Sequence, residues 1–599
     1  MAKKSPQRPD LATFDKAEND DKRNRLLLAW LSDDDDRAAL FALVNEERKG
    51  ILEFQSRDAA PSEPCNPTNE RPRPPPETGH KTVYLVTSRK RIEDALLDGG
   101  GTYSNRLYGE LGGGNFMLAL DPATTGAAAH AAQLKALCES FRKIPSAQID
   151  RVSHHACHSA AILSLRSQKF DLATFAEQAG LRFCESLFGY SYTDHPLLEK
   201  SLRAGYKALV HQVLGRHFVT DPLAIPQAKQ AMGQLLVRTG ALIDAYAAKD
   251  EDFLKGCKVA SDLGKLEPVM KSLGEYVNDL NGEQRAVIAV GAVAGTVGNV
   301  QAAVCIAVKH FFRCSAAWDE AQELIRREKS DKTGYPLEWR ELIGRSLCLN
   351  PPIPFLPRLV TPAMEGRPAY SEIILALGGG TSKEAEDPLI WGLPVDGKHW
   401  CIGRDLAWSL IIEAVRHVLG LPELAEQLDP ENGEPKGLKK RWGFVCESYP
   451  LSYRRDRRAA QSSLNVAMRI KAPVKENADR LRAVIRAGAP QIEEALCLAR
   501  HVHFAWFEFI ERDTVLVLHT VYDGDFSAYI QHFALQVGDL FDSLFESIEI
   551  APPAPVTKFP DEFVALIQRF NRAPAMGYFF SAYPRSEAAQ IARDERHRT

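Results

Sequence analysis

Gly397-Lys-His-Trp-Cys401-Ile-Gly403, running directly into Arg404-Asp-Leu-Ala-Trp-Ser-Leu-Ile-Ile-Glu-Ala-Val-Arg-His-Val-Leu419, is a glycine-framed cysteine loop followed by an amphipathic helical pattern. Glycines at 397 and 403 let the backbone turn tightly around the sulfur and leave room for a flat macrocycle to approach without a Cβ in the way. The cysteine sits just ahead of a helix N-terminus, where the macrodipole and unpaired N–H groups favour a thiolate. His399, two residues before the sulfur, is placed to hydrogen-bond an acidic substituent of that macrocycle.

The stretch resembles the heme-binding loop of the cytochrome P450 family, roughly Phe-x-x-Gly-x-x-x-Cys-x-Gly followed by Leu-Ala. Gly397, His399, Cys401, Gly403, Leu406 and Ala407 fall in register, while Pro394 stands at the phenylalanine position. The resemblance implies heme b (iron protoporphyrin IX) as cofactor, with Cys401 as the iron ligand and His399 on a propionate. Asn350-Pro-Pro-Ile-Pro-Phe-Leu-Pro-Arg358 resembles the segment after the family's K helix, which makes Arg358 a second propionate candidate. Asp121-Pro-Ala-Thr-Thr-Gly-Ala-Ala-Ala-His130 resembles the entry to the C helix, whose histidine contacts heme. The family's arginine four residues later is Leu134 here, with Lys135 a substitute. Phe170 to Gly189 has the period of a core helix and resembles the E helix.

Two departures shape the functional expectation. The family's monooxygenases carry Ala/Gly-Gly-x-Asp/Glu-Thr on the long central helix, an acid and an alcohol that deliver protons to iron-bound oxygen. Here the run is Ala294-Gly295-Thr296-Val297-Gly298-Asn299-Val300-Gln301, with Val297 and Gly298 at the acid and alcohol positions, and neither carries a proton. Gly295 and its small neighbours keep the groove open. The K-helix Glu-x-x-Arg pair is also absent, although Glu341 and Arg345 are spaced for a helix-face ion pair. Retention of the thiolate without the relay points to a substrate that brings its own activated oxygen. Allene oxide synthases, hydroperoxide lyases and the heme-thiolate half of fungal fatty-acid dioxygenases act in this way, several with an amide above the iron. Asn299 and Gln301 are the amides available. They are two apart on a helix, so only one faces the heme, and Asn299 is preferred. The runs Pro430–Lys440 and Ser463–Lys471 resemble, loosely, the tail of that fungal domain.

The expected activity is therefore reductant-free cleavage and rearrangement of a fatty-acid or lipid hydroperoxide. An O2- or peroxide-dependent P450 monooxygenase acting on a lipophilic substrate is the alternative, and it alone calls for an external redox partner. A heme-based sensor or carrier is the alternative from another class.

At 599 residues the chain is long enough for more than one domain. Its 74 Lys and Arg against 78 Asp and Glu give a formal charge of −4 and no electrostatic case for nucleic acid. Eleven scattered cysteines, an odd number, suit reduced thiols in a cytoplasmic protein. No uninterrupted apolar run reaches the roughly 20 residues of a membrane span, and the N-terminus lacks the apolar core of a signal peptide.

The organisation expected is a helical extension and Pro-rich linker over 1–79, a mainly α heme-thiolate domain with small β-sheets over 80–475, and a C-terminal α+β domain of ferredoxin-like type over 476–599. Residues 1–21 are polar and expected to be mobile, and 22–54 read as helical, with Leu52 among the anchors. Asp33 to Asp36 reads as a cap or linker. Thr82–Thr87 reads as the first strand. In the C-terminal domain, His503–Ile510 and Thr514–Val521 read as a hairpin, Asp525–Ile548 and Pro560–Asn571 as helices, and Met576–Ala582 as a returning strand. The domain lacks a cysteine cluster for a fused electron carrier. It is expected to support a homodimer or to shape a lipid entrance. His154-His155-Ala-Cys157-His158 fits no standard zinc spacing and reads as structural or surface; Leu377–Lys383 lacks the phosphate-loop pattern and a following helix and reads as a loop before the heme region.

Overall fold

A computed structural model describes residues 8–56, 81–98, 101–109, 116–122, 126–165, 168–219, 221–254, 267–331, 336–361, 371–381, 387–393, 400–443, 445–453, 461–499, 502–524, 526–572 and 588. It divides into two compact units, Met1–Ser452 and Tyr453–Thr599.

The first unit is mainly helical: α1 Leu11–Asp15, α2 Asp20–Ser32, α3 Asp34–Glu47, α4 Arg89–Leu97, α5 Ala127–Arg142, α6 Ser146–Ser164, α7 Leu172–Phe188, α8 His195–Val213, α9 Ala224–Ala248, α10 Val269–Gly274, α11 Gly282–Arg313, α12 Ser315–Asp331, α13 Pro336–Leu349, α14 Leu377–Gly380 and α15 Arg404–Leu419. Its largest sheet has the order β1 (Ile51–Ser56), β2 (Lys81–Val86), β6 (Glu372–Ala376), β5 (Phe355–Val360), β3 (Tyr103–Ser104). Only the β2–β6 pairing is parallel. Smaller sheets join β4 (Lys169–Asp171), β10 (Pro450–Ser452) and β7 (Ala425–Glu426), and pair β8 (Lys439–Arg441) with β9 (Val445–Ser448).

The central helix α11 runs 32 residues, about 48 Å at 1.5 Å per residue. Asn281 and Gln284 form a capping box at its start, and His310 and Arg313 lie at the negative end of its dipole. By length and apolar content it is the candidate membrane span among the described residues, but most of that window is buried inside the fold. Helix α7 forms as expected: Asp171 caps its first turn, and Gly189, at φ 94°, ends it in the left-handed conformation.

The N-terminal segment departs from the sequence reading. Leu11 and Phe14 of α1 are 2% and 4% exposed and join a core with Trp30, Phe41 and Phe355, so the start of the chain is not simply polar. Lys49 and Gly50, at φ 51° and 79°, break the helical pattern. The next element is a strand, β1, rather than more helix: Leu52, Phe54 and Ser56 alternate inward, and the strand pairs antiparallel with β2.

Asp33 caps α3, accepting from the N–H groups of Asp35 and Asp36, whereas Asp34 is an ionic anchor. Its carboxylate receives Arg37 at 2.5 Å, Lys309 of α11 at 2.6 Å and Lys440 of β8 at 2.8 Å. Burial opposes ionisation, but Lys440, Arg37 and Lys309 outweigh it and hold the Asp34 pKa well below the usual carboxylate range. A second buried network ties the main sheet to the helices: Arg216 donates to both Glu372 oxygens at 2.6 Å, His217 Nε2 lies 3.1 Å from Glu372, and Ser56 Oγ lies 2.9 Å from His217 Nδ1.

In the second unit, β11 (Gln461–Arg469), β12 (Val502–Ile510) and β13 (Val515–Asp523) form an antiparallel sheet in the order β11-β13-β12. Helices α16 (Val474–Ala499), α17 (Phe526–Gln536), α18 (Gly538–Phe545) and α19 (Pro560–Phe570) share a core with it. Strand β11 was expected to end the heme domain. Its full-length pairing with β13 places it in the second unit instead. The helix expected over Asp525–Ile548 is broken between Gln536 and Gly538. The expected returning strand, Met576–Ala582, lies outside the described residues, and the described sheet has three strands.

Candidate heme site

The cysteine loop is anchored from both sides. Cys401 N–H donates to Trp391 O at 2.9 Å, Arg404 N–H to Cys401 O at 3.3 Å, and Ala407 N–H to Gly403 O at 2.8 Å, which starts α15. Gly397, His399 and Pro394 lie outside the described residues. The aromatic pair beside the loop is Trp391 and Trp408, with ring centroids 5.5 Å apart and the Arg340 guanidinium 5.4 Å from the Trp408 ring.

Burial pushes the Cys401 thiol up to about 11, against the Gly403 N–H and the Arg404 charge, which pull it down. Helix-end stabilisation alone therefore does not make the sulfur a thiolate. Even so, the Cys401 side chain is only half-buried. Space is left beside the loop at Gly403, where a Cβ would meet nothing within 4 Å.

Helix α11 packs against α15 and shows a matching opening. Residues 300–308 are buried without interruption, but Gly291, Ala292, Ala294, Thr296 and Asn299 are half-buried and Gly295 is exposed. Positions 291, 295 and 299 lie on one line of the helix. Phe116 walls its upper end: a Cβ at Gly291 would come within 2.2 Å of that ring. A Cβ at Gly295 would meet nothing within 4 Å. Asn299 makes no side-chain hydrogen bond among the described residues, whereas Thr296 Oγ1 donates to Ala292 O at 2.9 Å. Val297 and Gly298 are buried against neighbours, Val297 at Gly180 of α7 and Gly298 beneath the Tyr206 ring. Gln301, expected as an alternative distal amide, is instead a tie between helices. It is 8% exposed and donates from Nε2 to Ala173 O at 2.9 Å.

The polar end of the site draws on the loop before α5 and on β5. Arg358 is 3% exposed, its Nη1 donates to Pro357 O at 2.8 Å, and its Nε has no partner among the described residues. Burial lowers its pKa, offset by Tyr108 and, less, by Asp121. His130, on the first turns of α5, is buried and shifted down by burial, with Asp121 opposing. Asp121 is engaged by Ser104 Oγ at 2.6 Å and Asn105 N–H at 2.8 Å. Lys135 does not join this group: it is exposed, about 140° around the helix from His130. Tyr108 and Phe116 were missed from sequence, where nothing local marks them. The Glu341–Arg345 pair does not form; Arg345 reaches Glu320 of α12 at 2.5 Å.

No family model and no curated protein matches the sequence. Solved structures do. CYP164A2 of Mycobacterium smegmatis, in its ligand-free state, superposes with a TM-score of 0.50 at 15% identity, covering 72% of this chain and 100% of that one. The chain has the cytochrome P450 fold. Looser matches are CalO2, at TM-score 0.47 and 14% identity over 62% of this chain and 91% of that one, and P450BioI in complex with an acyl carrier protein, at 0.46 and 13% over 62% and 93%.

The P450 fold implies a heme cofactor, and the residues fit one. A buried guanidinium with no carboxylate in ion-pair range among the described residues suits a propionate. Half-buried Cys401 suits a metal that lowers its pKa on binding, and the open positions at Gly295 and Gly403 leave space for a flat ring.

Proposed function

We propose that the first unit is a cytoplasmic heme-thiolate enzyme that cleaves and rearranges a fatty-acid or lipid hydroperoxide without an external reductant. The observation that carries this reading is the composition of the open strip on α11. It holds no acid, its hydroxyl is bonded back to the helix through Thr296, and its free polar group is the Asn299 amide.

Heme bound at Cys401 supplies a redox-active iron whose electron density the thiolate raises, the chemistry needed to break an O–O bond. The chain's own residues do the rest. Arg358 and His130 hold the polar edge of the cofactor, with His399 a further propionate partner by its place in the loop. Gly295 and the neighbouring alanines admit a substrate close to the helix, and the Phe116 ring, packed on Gly291, gives it an apolar wall. The Asn299 amide donates one hydrogen bond and accepts another without gaining or losing a proton, so it orients a hydroperoxide rather than relaying protons. Rearrangement conserves every atom and electron of the substrate, which makes a proton relay and an electron carrier unnecessary. Near the start of α15, Arg340 and Arg404 share Asp405, Arg345 pairs with Glu320, and Arg416 pairs with Glu328 and Glu413.

The test is heme-loaded protein mixed with unsaturated fatty-acid hydroperoxides under nitrogen, products followed by mass spectrometry. Isomers or fragments are expected without reductant, and Asn299→Ala should slow turnover by about 10- to 100-fold at unchanged heme content. Absence of conversion with heme bound would overturn the reading in favour of a hydroxylase needing an external electron or peroxide source.

A further inference from the structure

The second unit contains a cavity of about 270 Å³ between its sheet and its helices. Leu518 identifies it as a true opening. This residue sits on the middle strand β13, in register between Val466 of β11 and Phe507 of β12, on the face that also carries Leu464 and Leu516. Leu464, Val466 and Leu516 are 0% exposed, yet Leu518 is only half-buried, as are Phe507 beside it and Ile492 and Leu496 on α16. A leucine at the centre of a sheet, on its helix-covered side, stays accessible only where the covering layer stands off.

The lining is almost entirely hydrocarbon. Among the described lining side chains the Tyr529 hydroxyl is already paired with Thr520 at 2.8 Å, which leaves the Trp506 indole N–H and the Glu493 carboxylate as the polar groups. Glu493 is the charged residue of the lining, exposed at the rim and without an ion pair among the described residues. A cavity with these walls excludes water and takes apolar guests, and the rim carboxylate disfavours an anionic head group by like-charge repulsion. At ~30 Å³ per water-sized group, the volume accommodates about nine heavy atoms.

We propose that the second unit carries its own lipophile site in this cavity, independent of heme, for an uncharged aliphatic or two-ring aromatic molecule in preference to a carboxylate. The site is separate from the heme chemistry of the first unit.

The experiment uses the heme-loaded full-length chain and equilibrium dialysis with naphthalene and with 1-naphthoate, the heme absorbance reporting the first unit. A naphthalene site is expected that Ala505→Trp weakens by about tenfold or more, because the new ring fills the cavity, while the heme spectrum and its response to naphthalene stay unchanged. Naphthoate should bind about tenfold more weakly than naphthalene in the wild type, and Glu493→Gln should narrow that gap. If Ala505→Trp disrupts the second unit, the Glu493→Gln comparison decides alone, since that residue is exposed. Absence of naphthalene binding, equal binding in folded Ala505→Trp, or a naphthoate gap that ignores Glu493 would each overturn the proposal and leave a packing void.

Discussion

Replacing Asp34 with Asn should destabilise the first unit by about 3 kcal/mol, roughly a hundredfold in its folding equilibrium. The carboxylate is 4% exposed, and Arg37, Lys309 and Lys440 lie 2.5 to 2.8 Å from its oxygens. Removing one partner of a buried ion pair costs about 3–5 kcal/mol because the remaining charge stays buried and unmatched. The lower end applies here: Asn keeps one acceptor oxygen, and Lys309, 16% exposed, is able to turn towards water. Seven of the chain's eight tryptophans precede residue 453, so indole fluorescence during urea unfolding reports mainly the first unit. The pH dependence is a second signature. Because the folded-state pKa lies below the ordinary 3.8 of an aspartate, the Asp34 contribution is complete above that value and is lost as pH falls through the lower, folded one. The stabilities of the wild type and of Asp34→Asn should thus converge in strong acid. Asp34→Asn with Lys440→Met should recover part of the loss by removing an orphaned cation. A loss below about 1 kcal/mol, the range of an exposed pair, or a difference that persists undiminished in strong acid, would refute the reasoning.

Cys401→Ser should abolish the thiolate-type heme absorbance while the fold is retained, and persistence of that spectrum would remove Cys401 as ligand. Arg358→Met should lower heme affinity by about 10- to 100-fold, the effect of losing a charge-assisted contact, measured by transfer of heme to an acceptor protein; unchanged transfer would place the propionates elsewhere. Gln301→Ala should cost about 1–2 kcal/mol in stability through the orphaned Ala173 carbonyl yet leave hydroperoxide turnover within about twofold per heme, the opposite of Asn299→Ala.

What was legible in the sequence is what is encoded locally. The cysteine loop, α7 with its Asp171 cap and Gly189 terminator, and the small-residue run of α11 are each contained in a short window whose spacing sets the geometry. What escaped depends on partners distant in the chain. Asp34 read as part of a cap or linker because Lys309 and Lys440 stand 275 and 406 residues away. Strand β1 was hidden by leucine and phenylalanine spacing compatible with a helix, and only the left-handed Lys49–Gly50 turn separates the two readings. Strand β11 was assigned to the wrong unit because its partner β13 lies beyond the whole of α16 and β12. Lys135 is close to His130 in sequence only, and helix geometry turns it away.

Helix geometry also explains why the two amides of α11 diverge. Residues two apart on a helix differ by about 200° in direction, so Asn299 and Gln301 never share a face. One faces the line that runs through Gly291 and Gly295; the other faces α7, where Ala173 O uses its N–H. Anchoring the helix through Gln301 and, about 12 Å further on, through Lys309 and Asp34 fixes its rotation. That rotation decides what the open strip presents. With it held, the groove displays glycine, alanine, an engaged threonine and a single amide, while Val297 and Gly298 are packed into neighbours and are not exchangeable with the strip. An acid introduced at Val297 would be buried against Gly180 rather than delivered to the groove. Under the proposed function, the absence of an acid from the groove would follow from the helix's orientation as well as from its sequence, and Val297→Asp should leave the protein without turnover on O2 and reductant.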